Sequence, residues 1–176
     1  MTATLPPAAR RRTSRAARPS RPQPWLERWP ALDGVAPMDA AEWFRDLPGL
    51  ALLESARPGR TARWSFLTAD PLEVIDAPTP GADPFAAARR MVGRLDPARP
   101  EVAPGEAPPP FLGGLAGYLG YDLGHALERL PTIAPDDQGL PVLRLALHDW
   151  TIAWDRRTER AWLAGRPVDG DRAGLE

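Results

Sequence analysis

Apolar and polar positions repeat with different periods along this chain, and each change of period marks an element. Asp39-Ala-Ala-Glu42 has the form of a capping box with Asp39 as N-cap, predicting a short helix that Pro48-Gly49 ends. Residues 50–56 form an apolar run that predicts a buried strand. Residues 57–60 are its turn and residues 63–69 its antiparallel partner, making a hairpin. Pro71 breaks that strand, and residues 72–76 resume a short one. Asp83-Pro84 predicts a second helix with an N-cap and a first-position proline, its apolar stripe being Phe85, Ala88, Val92 and Leu95. Six prolines within residues 96–110 predict an extended surface linker. A glycine-rich strand follows, then a brief helix over residues 124–129 closed by Pro131. Residues 143–147 are apolar, residues 150–154 continue them with alternation, and residues 160–163 pair back across a turn at residues 155–158. This order predicts an α+β fold, mainly antiparallel sheet with flanking helices.

Charge divides the chain unevenly. Residues 1–24 hold six arginines and no acid, which leaves 16 basic against 23 acidic side chains from residue 25 onward. That acidic body argues against nucleic acid as a partner, because phosphate binding needs a basic face. The basic segment is expected to be a disordered leader or a misassigned start, in preference to a transit peptide or nucleic-acid arm. Residues 25–165 are then one domain and residues 166–176 a tail. All 22 basic residues are arginine, and cysteine is absent, which excludes disulfides and thiolate metal sites. No apolar run approaches the ~20 residues of a membrane helix. A cytoplasmic protein without a membrane partner is the expectation.

Catalytic chemistry finds no anchor in the residue pattern. Gly113, Gly114, Gly117 and Gly120 do not match the spacing of a dinucleotide-binding loop, and a proline run precedes them. Read as strand residues, they let a second layer pack close to the backbone. His125 and His148 lie 23 residues apart with nothing to complete a metal site, so surface or capping roles are expected. No nucleophile elbow and no carboxylate pair is visible. Glu54 stands out, because a carboxylate inside an apolar strand is costly unless paired or turned to a ligand. It either faces solvent or pairs with Arg57 or Arg63, or else lines an aromatic pocket with Ser55, Trp64, Ser65 and Phe66.

Three stretches resemble one family. They are Leu52-Leu53-Glu54-Ser55-Ala56, Arg63-Trp64-Ser65-Phe66-Leu67 with Ala69-Asp70-Pro71, and the Pro110–Leu123 glycine segment that runs on into Gly124. In order and spacing they are similar to the N-terminal domain of component I of aminodeoxychorismate synthase and anthranilate synthase, the chorismate-utilising enzymes. Gly120-Tyr121-Asp122-Leu123-Gly124 and Glu128-Arg129-Leu130-Pro131 resemble the aminodeoxychorismate synthase version, with His125 in place of an arginine. His148-Asp149-Trp150 stands where tyrosine precedes Asp-Trp in the family.

The resemblance implies half of an α/β sandwich, completed by a C-terminal chorismate-binding domain whose motifs this sequence lacks. Chorismate, Mg²⁺ and the acid–base residues belong to that domain, so the resemblance assigns no catalytic residue, metal ligand or cofactor here. It implies a tryptophan-type pocket at Leu53, Glu54, Ser55, Trp64, Ser65 and Phe66, with Trp64 in place of a common tyrosine. The implied partners are a chorismate-binding domain on a separate chain, a glutamine amidotransferase subunit and L-tryptophan. The implied function is the non-catalytic N-terminal portion of an aminodeoxychorismate synthase component I, in 4-aminobenzoate and folate synthesis. The alternatives are an anthranilate synthase fragment, a freestanding aromatic amino-acid binding or scaffold module, and a truncated frame.

Overall fold

The computed structural model describes residues 23–57, 59, 61–76, 83–102, 107–131 and 136–169. The expected leader up to residue 22, turn residues 58 and 60, linker residues 103–106 and the tail from residue 170 lie outside the described residues. Among the described residues the strands are β1 (Trp25–Arg28), β2 (Ala51–Leu53), β3 (Trp64–Thr68), β4 (Glu73–Ile75), β5 (Gly114–Leu119), β6 (Leu143–His148), β7 (Trp150–Asp155) and β8 (Arg160–Gly165). The helices are α1 (Pro37–Phe44) and α2 (Ala86–Gly93), with 3-10 turns at Pro30–Leu32 and Tyr121–Ala126. A five-stranded sheet runs β1-β8-β7-β3-β2 and a three-stranded one β4-β6-β5, with every pair antiparallel. The fold is α+β, as expected. No helix among the described residues is long and apolar enough to cross a membrane.

The larger sheet is built around β7, which is buried along its whole length. One face carries Leu67, Trp150, Ile152, Trp154 and Ala161, covered by Ala40 and Ala41 of α1 and by Leu32 of the first 3-10 turn. Burying each large apolar side chain there contributes about 1.5–3 kcal/mol. Polar groups within the sheet are satisfied. Thr68 Oγ1 donates to the Trp150 carbonyl at 2.7 Å, and Thr151 Oγ1 donates to that of Leu67 at 3.2 Å.

The two sheets are the two arms of one bent ribbon. Leu67 pairs with Ile152 in the large sheet, and Glu73 pairs with Leu147 in the small one. Between those pairs the first strand advances six residues and the second five. The extra residue makes a bulge, the device by which strands turn from one sheet into another. Asp70, in the bulge, adopts a left-handed φ of 53°. The Leu72 N–H donates to the Leu147 carbonyl at 2.7 Å, restarting the ladder beyond the corner.

Several elements differ from the sequence expectations. Pro37 takes the first position of α1 with Ala36 as N-cap, so Asp39 sits inside the first turn, where its charge complements the helix dipole. The buried strand expected over residues 50–56 shrinks to the three residues of β2, at the sheet edge. Asp83 does not cap α2. Its Oδ1 accepts the Phe85 N–H at 2.9 Å, residues 83–85 form a turn, and the helix starts at Ala86. The inward position of α2 is accordingly Met91, and Val92 is exposed. The brief helix begins earlier than residue 124, as the 3-10 turn Tyr121–Ala126. Residues 150–154 do not continue β6 but enter the other sheet at Asp149. Arg166–Asp169, at the start of the expected tail, are tied down: Val168 bridges Leu95, and Arg94 binds Asp169 at 2.7 Å.

Of the two glycines in β5, Gly114 lets a second layer pack close, since a Cβ there would meet the Phe111 and Leu95 side chains at 3.4 and 3.6 Å, whereas Gly117 serves strand pairing. At Gly117 φ is +154°, and a Cβ would run into the Arg144 carbonyl of the neighbouring strand β6. Gly117→Ala is therefore expected to cost about 1–3 kcal/mol in urea unfolding. Gly93→Ala in α2, where a Cβ meets open space, is expected to be neutral or stabilising by up to about 1 kcal/mol. Equal effects of the two substitutions would contradict the pairing role.

Candidate functional site

The β2–β3 hairpin brings the two implied pocket segments against each other. Just beyond β2, Ser55 Oγ donates to the Trp64 carbonyl at 2.8 Å, and the Ser55 N–H donates to Ser65 Oγ at 3.2 Å. Alternation along β3 then sorts the candidates onto two faces. Ser65 is buried, whereas Trp64 and Phe66 face the other way, with Leu53 opposite Phe66 in register. Leu53 is half exposed and Glu54 exposed. Among the described residues Glu54 makes no ion pair. Leu53, Trp64 and Phe66 thus share a half-open aromatic face, Ser65 braces it from behind, and Glu54 lies exposed just beyond the strand.

That face extends well beyond the hairpin. The Trp64 ring stacks on Phe66 with centroids 6.3 Å apart and tilts against Trp162 at 5.7 Å. Phe66 meets the edge of Phe111 at 5.7 Å, so the segment leading into β5 closes one end. The guanidinium groups of Arg63 and Arg28 lie over Trp64 and Trp162, at 4.9 and 5.0 Å. Cations over indole faces are attracted by the ring quadrupole. Each arginine is also held by a carboxylate. Asp33 takes Arg28 at 2.6 Å, and Asp155 takes Arg63 through Nε at 3.0 Å and Nη2 at 2.6 Å.

Asp155 is almost fully buried. Burial pushes its carboxyl up, but the Arg63 hydrogen bonds, the Arg157 N–H at 2.9 Å and Thr158 together hold it below the usual carboxylate range. Sequence reasoning treated Asp155 as a turn residue and Arg63 only as a partner for Glu54. The Trp64↔Asp155 register that joins them spans ninety residues of chain and leaves no local signal.

Other candidates separate. His125 is exposed in the second 3-10 turn, whereas His148 is fully buried, against the expected surface or capping role. Among the described residues no group of three or more His, Cys, Asp or Glu side chains could hold a metal ion. A cleft of about 370 Å³ opens elsewhere, between Tyr118, Tyr121, Asp122, Asp136, Leu140 and Val142.

No family model matches the chain. Individual proteins do. Anthranilate synthase component 1 of Mycobacterium tuberculosis (strain ATCC 25618 / H37Rv) is 39% identical over 138 residues, covering 69% of this chain and 26% of that protein. Its counterpart from Streptomyces coelicolor is 34% identical over 133 residues, covering 74% and 24%. Aminodeoxychorismate synthase component 1 of Escherichia coli (strain K12) is 31% identical over 159 residues, covering 78% and 34%. The crystal structure of anthranilate synthase component I from Streptococcus pneumoniae TIGR4 superposes with a TM-score of 0.49 at 20% identity, over 83% of this chain and 33% of that one. The chain spans about a quarter to a third of the length of these relatives. It is a homologue of the N-terminal region of the chorismate-utilising component I chains. Its relatives within that family are of two kinds, anthranilate synthase and aminodeoxychorismate synthase.

The buried ion pair behind Trp64 gives a testable sign. The Asp155 carboxyl has a lowered folded-state pKa, so its stabilisation is present above its unfolded value, near pH 4, and is lost as pH falls through the folded value. Asp155→Asn is expected to cost about 3 kcal/mol at pH 7 and to flatten the loss of stability between about pH 4 and 2. Urea unfolding across that range measures both, and an unchanged acid limb would contradict the assignment.

Proposed function

We propose that residues 25–165 are the non-catalytic N-terminal portion of an aminodeoxychorismate synthase component I, acting in 4-aminobenzoate and folate synthesis. The observation that carries this reading is homology to component I chains combined with the Tyr121-Asp122-Leu123-Gly124 form of the glycine segment. In this role the chain supplies binding surface and no acid–base group. A chorismate-binding domain holds chorismate and Mg²⁺, and a glutamine amidotransferase subunit delivers ammonia. The assembly works in the cytoplasm. Anthranilate synthase component I is the second reading, favoured by the 39% identity to the mycobacterial protein.

The aromatic face is the candidate site for L-tryptophan. Leu53, Trp64 and Phe66 offer apolar contact to an indole, and the exposed Glu54 carboxylate offers an ion pair to the amino group. Ser55 and Ser65 hold the hairpin so that those groups converge. With one side of the face open, affinity is weak, because the ring stays partly wet.

Reconstitution with the chorismate-binding half, chorismate, Mg²⁺ and ammonium should yield 4-amino-4-deoxychorismate. Anthranilate as the product would move the chain to the second reading. Calorimetry tests the pocket. Wild type should bind L-tryptophan, Glu54→Gln should weaken binding about tenfold, and Ser55→Phe should abolish it. Equal binding by all three would mean that these residues are ordinary hairpin positions.

A further inference from the structure

The corner between the two sheets contains a buried imidazole whose Nε2 meets no hydrogen-bond partner among the described residues. His148 is the last residue of β6 and is fully buried. Its Nδ1 lies 3.4 Å from the carbonyl of Ala69, in the bulge that carries the other strand around the same corner. A carbonyl only accepts, so Nδ1 carries the proton and Nε2 is a bare lone pair. Nε2 has no partner among the described residues. The backbone of Gly113 packs against that of the corner itself, since a Cβ there would stand 3.0 Å from the His148 carbonyl.

This arrangement tolerates a neutral ring and resists a charged one. Protonation would put an N–H and a full charge at Nε2, where neither meets an acceptor. The charged groups that face the ring are Asp70, from the bulge, and Asp149, from the link to β7. Gly114, the register partner of His148 on β5, brings no charge. Burial, the largest influence, lowers the imidazole pKa, and the Ala69 carbonyl and the two aspartates oppose it without prevailing. The sign follows. Stability at the corner is complete above the ordinary imidazole value near pH 6.5 and is lost as pH falls from there through the folded value.

We propose that His148 is a pH latch for this corner, and that protonating it opens the seam between the sheets as far as the first bond of the small sheet's ladder, while the rest of each sheet stays paired. The consequence reaches the aromatic face. Phe66 belongs to the large sheet and Phe111 to the segment entering the small one, so an open seam parts that contact.

Hydrogen exchange and imidazole NMR on the full chain, from pH 8 to 5, test it. Three amides report separately: Leu72 to Leu147 at the seam, Arg156 to Arg63 at the far end of the large sheet, and Gly120 to Val142 at the far end of the small one. After correction for intrinsic rates, protection at Leu72 should fall about tenfold between pH 7 and 5.5, while Arg156 and Gly120 hold theirs. The His148 resonances should titrate with the Leu72 change, and His125→Gln distinguishes the two histidines. His148→Gln, neutral at every pH, should remove the pH dependence at Leu72. If that variant fails to fold, the wild-type titration decides alone. Parallel loss at all three amides, titration of His148 without a change at Leu72, or a pH dependence that survives in His148→Gln would each overturn the latch.

Discussion

Everything in this molecule hangs on one bulge. A single extra residue at Asp70 lets a two-stranded ribbon leave one sheet and enter the other without losing its pairing. The large sheet owes its register to the arm before the bulge, and the small sheet owes its existence to the arm beyond it. β5 adds to the small sheet by pairing with β6, along a register that runs up to His148 itself. Edge strands and helices then attach to a frame already set. The left-handed backbone at Asp70 costs energy, and it is held by the hydrogen bonds of Thr68 and Leu72 on either side.

The corner also determines what the aromatic face can be. Trp64, Phe66 and Trp162 lie on the side of the large sheet away from α1, and Phe111 reaches them because the ribbon turns. Two arginines cover the indoles, each held by its own carboxylate. The component I chains that this protein resembles are three to four times longer than the stretch matched here.

Much of this was legible in the residues, and what was hidden was hidden for physical reasons. The hairpin of β2 and β3, the strand at the glycine segment and the return of β8 on β7 all rest on local turns and alternation, which sequence displays. The corner rests on a register between residues far apart, so only the break at Pro71 hinted at it, and residues 150–154 read as a continuation of β6. The capping box at Asp39 was a genuine pattern overruled by a stronger one, since Pro37 at the first helical position fixes the start three residues earlier. β1 escaped notice because Trp25–Arg28 is short and half polar, and only β8 makes it a strand. At the candidate site, motif similarity pointed to the hairpin. Arg63, Asp155, Trp162 and Arg28 converge there through cross-strand pairing alone.

The central claim is that two sheets form one cooperative unit because a single bent ribbon runs through both. Urea unfolding at pH 7.5, followed by methyl NMR, tests it most directly, with Ile152 reporting on the large sheet and Leu115 on the small one. Coincident midpoints and slopes are the predicted result. A Leu115 transition at lower urea than that of Ile152 would contradict the account, because the small sheet would then melt without its arm of the ribbon.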